Sequence, residues 1–169
     1  RQAIVDATRI AACGLSLGSD PADIIGLLHP ELIRAVIHND FLCDWRERTI
    51  AENAYGSTPH HVVPSMYRWF DAPDIQAALA PRPLLYTEGG RAPHIRRVQA
   101  AYALAGAPEN VTVRYYQRYE SASARIYDDQ PIPEGLSQEE YFQYANVDVA
   151  EHRFHPELAV PWLTQVLVA

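Results

Sequence analysis

The chain has 169 residues, of which 48% are hydrophobic and 21% charged, and its net charge is −7 at neutral pH. These totals are typical of one globular domain. The acidic balance without a basic stripe argues against a nucleic-acid partner. No apolar run approaches the roughly 18 residues that span a bilayer, so a membrane partner is not expected either.

The two cysteines, Cys13 and Cys43, indicate neither a disulfide framework nor a metal cluster. Cys13 falls in a predicted strand, where a buried free thiol is expected. The sequence begins with Arg1 and shows no signal peptide, so we expect the C-terminal portion of a longer or processed protein. The localisation therefore stays open.

Apolar periodicity and turn residues divide the chain into alternating strands and helices. The predicted strands are Arg9–Cys13, Arg34–His38, Leu84–Thr87 and Val111–Tyr116. The predicted helices are the end of one helix over Arg1–Thr8, then Leu17–Leu28, Asp74–Leu79, Pro93–Ala105, a short helix opened by a capping box at Ser137, and Leu158–Val168. Strands separated by helices predict an α/β fold with a mostly parallel sheet between two helical layers.

Two long connections interrupt this alternation and are interpreted as insertions. One covers about residues 39–73 and contains His60-His61, and the other covers about 117–151. Helix Leu17–Leu28 is expected to bury Ile24, Ile25, Leu27 and Leu28 on one apolar face.

The motif Gly14-Leu15-Ser16-Leu17-Gly18 has the pattern of a nucleophile elbow, in which a serine stands on a sharp strand-to-helix turn. Glycine is expected at positions 14 and 18 because strand and helix approach closely there, and a Cβ would clash. The following helix would direct its N-terminus at Ser16, and the Leu17 N–H is a candidate oxyanion donor. A plain glycine-rich turn is the alternative, but the flanking strand and helix favour the elbow.

A serine nucleophile needs a base for its proton and an acid that orients the base. His152 follows the last strand and is the preferred base, while His155 precedes Pro156 and is interpreted as a helix start. Either histidine could instead be a surface residue. The two could also form a His-x-x-His metal pair, but no third ligand is evident, so no metal is expected.

Two carboxylates at strand ends are candidates for the acid. Glu88 ends the third predicted strand and Asp40 lies just past the second, whereas Asp44 and Asp71 are less well placed. Either candidate could instead be a loop-capping carboxylate. No dinucleotide or phosphate-binding motif occurs, so no cofactor is expected.

At this point the chain resembles the α/β-hydrolase superfamily. The resemblance rests on the elbow around Ser16, the Ala80-Pro81-Arg82-Pro83-Leu84-Leu85 entry to a strand and the late histidine. It implies a three-layer α/β-hydrolase sheet of which residues 1–169 are the C-terminal half, with the two insertions. Within the superfamily the chain is similar to acetylxylan esterases, dienelactone hydrolases and glucuronoyl esterases.

One departure from the superfamily concerns the acid, which is usually an Asp in a Gly-x-x-Asp-like turn. Gly89-Gly90-Arg91-Ala92-Pro93 contains no Asp. Asp40 followed by Trp45-Arg46 resembles the arrangement in glucuronoyl esterases. That likeness favours Asp40 as the acid, leaves Glu88 as an alternative or a supporting carboxylate, and suggests substrate contacts for Trp45 and Arg46.

The sequence thus predicts a serine hydrolase that cleaves carboxylic esters through an acyl-enzyme, with a small-molecule or carbohydrate-linked ester as substrate. Tyrosines of the second insertion could line a sugar or aryl site, although core packing explains them equally. A prolyl-oligopeptidase-type peptidase and a non-catalytic scaffold are the alternatives. An N-terminal segment or a second chain is expected to complete the sheet, because the resemblance implies strands that precede this sequence.

Overall fold

The computed structural model describes residues 5–53 and 63–168, so His60-His61 lies outside the described residues. Its sheet contains β1 (Ile10–Leu15), β2 (Ile33–Asn39), β3 (Leu84–Tyr86) and β4 (Val111–Val113), in that spatial order. Every neighbouring pair is parallel. The predicted parallel α/β sheet is therefore confirmed, and all four strands direct their C-terminal ends to one edge.

The helices are α1 (Ser19–Leu28), α2 (Trp45–Ala51), α3 (Ala72–Ala77), α4 (Ala92–Leu104), α5 (Gln138–Tyr144) and α6 (Pro156–Val168). None of these helices is long and apolar enough to cross a membrane. The capping box predicted at Ser137 is present, with Glu140 completing it at the start of α5. Pro161 lies inside α6, one turn beyond its first residue.

Helices cover both faces of the sheet, as alternating side chains on β2 and β3 show. Val36 and Leu84 pack with α4 residues such as Val98. Ile37 and Leu85 pack on the opposite face against α6. Helices α4 and α6 therefore cover opposite faces of the sheet.

Several sequence-based boundaries and burials were wrong. Residues 5–8 are not helical, and β4 ends at Val113, three residues before the predicted end at Tyr116. Cys13 is exposed, because β1 is the outermost strand of the described sheet. An edge strand has a neighbour on one side only, so its apolar sequence does not guarantee burial.

Helix α1 faces the sheet with small and polar residues, whereas the sequence predicted an apolar inner face. Ile24, Ile25 and Leu28 are exposed, Leu27 is partly buried against the core, and Asp23 and Gly26 are buried. A side chain at Gly26 would come within 2.5 Å of Val36, so this helix lies close to β2. Close approach and a buried polar contact, described below, decide its orientation.

The two long connections share one hydrophobic cluster, although about 43 residues of chain separate them. Phe41 and Trp45 from the first connection pack with Tyr116, Tyr119 and Tyr141 from the β4 end and the second connection. These three tyrosines are buried. They therefore contribute to the core, and a site-lining role is left to the more exposed aromatic residues.

Candidate active site

Ser16 occupies a strained position at the junction of β1 and α1. Its φ is +54°, a left-handed conformation that non-glycine residues rarely adopt. A short 3-10 turn, Ser16–Gly18, connects it to α1. Such strain persists only where the surrounding structure enforces it, and nucleophile elbows are one such place.

Close contact within the turn explains Gly14. A Cβ on Gly14 would lie 1.9 Å from the Gly18 carbonyl oxygen, so no larger residue fits. A Cβ on Gly18 would meet nothing within 4 Å, so the expectation that both glycines are sterically required was wrong for Gly18. The Ser19 hydroxyl also donates a 2.8 Å hydrogen bond to the Gly14 carbonyl, which fastens α1 to the strand.

Glu88 and His152 form the central pair of the site. Glu88 follows β3 at the edge where the strands end, and its side chain is fully buried. His152 lies between a 3-10 turn (Val149–Glu151) and α6, and its side chain is 30% exposed. Its Nδ1 is 2.7 Å from Glu88 Oε2. A neutral imidazole that donates from Nδ1 presents Nε2 as a proton acceptor.

Both carboxylate oxygens of Glu88 accept further hydrogen bonds. The Tyr116 hydroxyl donates to Oε2 at 2.6 Å. Oε1 accepts from Asn39 Nδ2 at 3.1 Å and from the Arg153 backbone N–H at 3.3 Å. His155 Nε2 lies 3.4 Å from the same Oε1. Several donors to one buried carboxylate satisfy its oxygens and fix its orientation.

Asn39 holds the segment that carries His152 against the end of β2. Its Nδ2 donates to the Arg153 carbonyl at 2.9 Å, and its Oδ1 accepts from the His155 N–H at 3.0 Å. The side chain is fully buried. Sequence reasoning missed Asn39, although its place next to Asp40 at a strand end was an available signal.

Asp40 is near this pair without a described hydrogen bond to it. One carboxylate oxygen of Asp40 lies within 4.8 Å of ligand atoms of Glu88 and His152. Its Oδ1 accepts from the Phe41 N–H at 2.8 Å. Burial raises the pKa of Asp40 to about 6, against the opposing attraction of His38 and His152. The structure therefore brings both sequence candidates to His152 and gives the hydrogen bond to Glu88.

The electrostatics of His152 follow from that bond. The hydrogen bond to Glu88 raises the pKa of His152 above its ordinary value, and partial burial opposes the shift. The three side chains of Asp40, Glu88 and His152 offer one donor atom each to a cation. However, His152 Nδ1 and Glu88 Oε2 already bond to each other. The arrangement is thus suited to orienting an imidazole and transferring a proton.

The other predicted site residues lie in different surroundings. Leu17 is exposed within the 3-10 turn next to Ser16. Trp45 is buried in the cluster shared by the two long connections, and Arg46 beside it is exposed. His155 directly precedes α6, as predicted, and its Nδ1 lies 3.0 Å from Glu157 Oε1. The oxyanion role of Leu17 and the substrate roles of Trp45 and Arg46 stay predictions.

A second histidine–carboxylate pair, unforeseen from the sequence, lies between α1 and β2. His38 Nδ1 is 2.9 Å from Asp23 Oδ2, and both side chains are at most 5% exposed. Gln76 of α3 donates to the same Asp23 oxygen at 2.9 Å and accepts from the Tyr86 hydroxyl at 3.2 Å. Burial lowers the pKa of His38, but the Asp23 carboxylate outweighs it and raises the value to about 9.

Comparison with known proteins agrees with this fold. A family model described as an Abhydrolase family matches residues 1–165. A solved structure from Bacteroides fragilis, titled a putative acetyl xylan esterase, is similar with 38% sequence identity and a TM-score of 0.86. The match covers 98% of this chain but 45% of that one, so the chain spans less than half the length of its solved relative. No curated protein matches. The chain belongs to the α/β-hydrolase family.

Proposed function

We propose that this chain carries the catalytic residues of a serine ester hydrolase, with Ser16 as nucleophile, His152 as general base and Glu88 as acid. The observation that carries the proposal is the 2.7 Å contact between His152 Nδ1 and the fully buried Glu88. It occurs at the sheet edge where the strained Ser16 also stands. Membership of a hydrolase family supports the same reading.

The spacing of the strands supports assigning the three residues to one site. Ser16 follows β1 and Glu88 follows β3, with β2 between them. Two strand spacings amount to about 10 Å. An imidazole bonded to Glu88 through Nδ1 directs its Nε2 away from the carboxylate, and Asn39 at the end of β2 holds the backbone next to His152. A position between acid and nucleophile is where a general base must act.

In the proposed reaction, neutral His152 accepts the Ser16 hydroxyl proton at Nε2 while the serine oxygen bonds to the ester carbonyl carbon. The ester C–O bond then breaks, and the imidazolium returns the proton to the departing alkoxide. Water attacks the acyl-enzyme with His152 again as base, which releases the acid and restores Ser16. Glu88 stabilises the imidazolium in both steps, and the Leu17 N–H with the start of α1 stabilises the oxyanion.

The substrate class is proposed as a carboxylic ester on a carbohydrate. The support is the similarity to a solved chain titled a putative acetyl xylan esterase, at 38% identity over nearly all of these residues. Acetylated xylo-oligosaccharides and p-nitrophenyl acetate are the substrates to compare. Faster release of acetate from the oligosaccharide supports a carbohydrate ester, whereas cleavage of p-nitrophenyl acetate alone supports a general esterase. Cleavage of prolyl peptides would favour a peptidase instead.

A covalent probe tests the serine mechanism. A fluorophosphonate should label the full polypeptide that contains these residues, and Ser16→Ala should abolish both labelling and ester hydrolysis. Ser123→Ala is the matched control, since Ser123 is an exposed serine in the second long connection. Labelling that persists in Ser16→Ala, or no labelling of the wild type, contradicts the proposal; the second result would favour a scaffold.

We also propose that a further segment or a second chain covers the outer side of β1. Leu15, Ile25 and Leu28 are exposed on or next to this strand. A groove of about 500 Å³ runs between β1 and α6, with Ile10 and Leu163 among its lining residues. Hydrogen exchange of β1 amides should be slower in the full polypeptide than in residues 1–169 alone. Equal exchange at matched concentrations would contradict this proposal.

A further inference from the structure

The acid of the proposed triad has a partner that the reaction scheme does not use. Glu88 Oε2 accepts two short hydrogen bonds, one from His152 Nδ1 at 2.7 Å and one from the Tyr116 hydroxyl at 2.6 Å. Both donors thus share the same oxygen, while Oε1 accepts from Asn39 and the Arg153 backbone and has His155 Nε2 3.4 Å away. A group that shares the oxygen contacting the base influences how strongly that oxygen holds the base.

Tyr116 is well suited to a constant influence of this kind. Its side chain is 2% exposed, and its ring lies edge-on to His155 with a centroid distance of 6.5 Å. Burial and the adjacent Glu88 carboxylate raise the pKa of Tyr116 far above its ordinary value, so the hydroxyl keeps its proton throughout the working range. The hydroxyl is therefore a donor to Glu88 at neutral pH.

We propose that Tyr116 is a positioning residue for catalysis, which fixes Glu88 Oε2 toward His152 and moderates the strength of the Glu88–His152 hydrogen bond. The inference rests on the proposed function for its catalytic consequence. The geometric part does not depend on it. Tyr116 reaches the reaction only through Glu88, because its hydroxyl bonds to the buried carboxylate and its side chain is almost inaccessible to a substrate.

Two consequences follow from sharing one oxygen between two donors. Without the Tyr116 hydroxyl, the negative charge on Oε2 is less neutralised and stabilises the His152 imidazolium more strongly. The pKa of His152 then rises further above its ordinary value. Since the base must be neutral to accept the serine proton, the acidic limb of the pH–rate profile moves to higher pH.

The test compares Tyr116→Phe with Tyr102→Phe. Tyr102 is also a fully buried tyrosine, and its hydroxyl donates a 2.6 Å hydrogen bond to the Arg82 carbonyl in the core around α4. Both variants lose one buried phenol hydrogen bond, so both should lose stability. Tyr116→Phe alone should raise the pKa of His152 in an NMR titration of labelled histidine. It should also lower kcat about fivefold at the pH optimum while KM stays unchanged.

A second variant changes the same bond in the opposite direction without removing it. Site-specific 3-fluorotyrosine at position 116 has a more acidic hydroxyl, so it donates more strongly to Glu88 and should lower the pKa of His152. Opposite shifts in the two variants support the proposal. An unchanged His152 titration in both, or an equal shift in Tyr102→Phe, overturns it. Because that titration needs no substrate, its outcome is separate from the test of ester hydrolysis at Ser16.

Discussion

Two histidine–carboxylate pairs of nearly equal length occupy this sheet, and they differ in what the imidazole can reach. His38 and Asp23 lie 2.9 Å apart between α1 and β2, where both are buried. His152 and Glu88 lie 2.7 Å apart at the sheet edge, where the histidine is partly exposed. The first pair joins two elements of the fold, whereas the second leaves an imidazole accessible. Burial of the histidine, more than the contact itself, separates a structural pair from a candidate catalytic one.

The largest expected effect tests the edge pair. Glu88→Gln keeps the volume of the side chain but loses the carboxylate that stabilises the imidazolium. We expect kcat/KM for an ester to fall by about 10³- to 10⁴-fold, as when an aspartate that orients a catalytic histidine is replaced by its amide. The pKa of His152 should also fall, because its hydrogen bond to Glu88 is the main cause of its raised value.

Steady-state kinetics across pH measure both effects in one series. A fall in the pKa of His152 moves the acidic limb of the pH–rate profile of Glu88→Gln to lower pH. Near-normal activity in Glu88→Gln would exclude Glu88 as the acid and return that role to Asp40, the other carboxylate near His152.

The buried pair should respond through stability. Asp23→Asn leaves the His38 imidazole without its counter-ion, and breaking a buried pair on one side costs about 3 kcal/mol in free energy of unfolding. Urea unfolding at pH 7 measures this loss. Asp6→Asn is the control, because Asp6 pairs with Arg9 at an exposed site, and its unfolding midpoint should not change. Equal stability of Asp23→Asn and the wild type would show that the pair does not hold α1 to the sheet.

The buried pair also predicts a pH dependence with a definite sign. The pKa of His38 is about 9 in the folded protein against 6.5 for the ordinary side chain. Its contribution to stability is therefore complete below about pH 6.5 and is lost as pH rises toward 9. We expect the free energy of unfolding to decline over this interval, and to decline less in His38→Gln. Parallel curves for the two proteins would contradict the raised pKa.

The smallest expected effect concerns Asp40. Asp40→Asn preserves an oxygen for the Phe41 N–H and removes the charge that helps to raise the pKa of His152. We expect kcat/KM at pH 7 to change by about threefold or less, since Asp40 makes no described hydrogen bond to His152 and that imidazole is partly exposed. A loss as large as that of Glu88→Gln would show that the two carboxylates act as one unit.

Asp40→Asn should also change stability, in a direction opposite to that of an ion-paired carboxylate. Burial raises the pKa of Asp40 from 3.8 to about 6, so the folded protein binds this proton more tightly than the unfolded chain. Ionisation of Asp40 therefore destabilises the wild type as pH rises from about 4 to 6. The asparagine variant lacks this decline, and thermal unfolding at several pH values measures the difference.

Part of the fold and of the candidate site could be predicted from short stretches of the sequence. The strand–turn–helix around Ser16 and the parallel sheet follow from local patterns of apolar residues and glycines. The sequence also placed Glu88 at a strand end and His152 after the last strand, just before the final helix. The residues alone left Glu88 and Asp40 open and the family resemblance favoured Asp40, because no local pattern shows which carboxylate bonds to a histidine that lies 64 residues beyond Glu88. That contact is set by tertiary packing, in which Asn39 holds the backbone at Arg153 and His155 against the end of β2.

The errors have a common physical origin in contacts between distant segments. Helix α1 exposes most of the apolar residues that were expected to be buried, because Asp23 bonds to His38 and Gly26 allows a close approach to β2. The strand β4 ends early, and Tyr116 instead lies in the core and bonds to Glu88. In each case a polar side chain within an apolar run decided the outcome, and its partner lies far along the sequence.

The bonds of Asn39 have a consequence for how such a protein can diversify. One amide on β2 bonds to the backbone at Arg153 and His155, and so holds the residues immediately after His152 at a fixed place on the sheet. The roughly 35 residues of the second connection end just before that anchor. The exposed residues among them can therefore change while the histidine keeps its position, whereas the buried Tyr119 and Tyr141 belong to the core. The residues proposed for the reaction can stay the same while the surface proposed to contact the substrate changes.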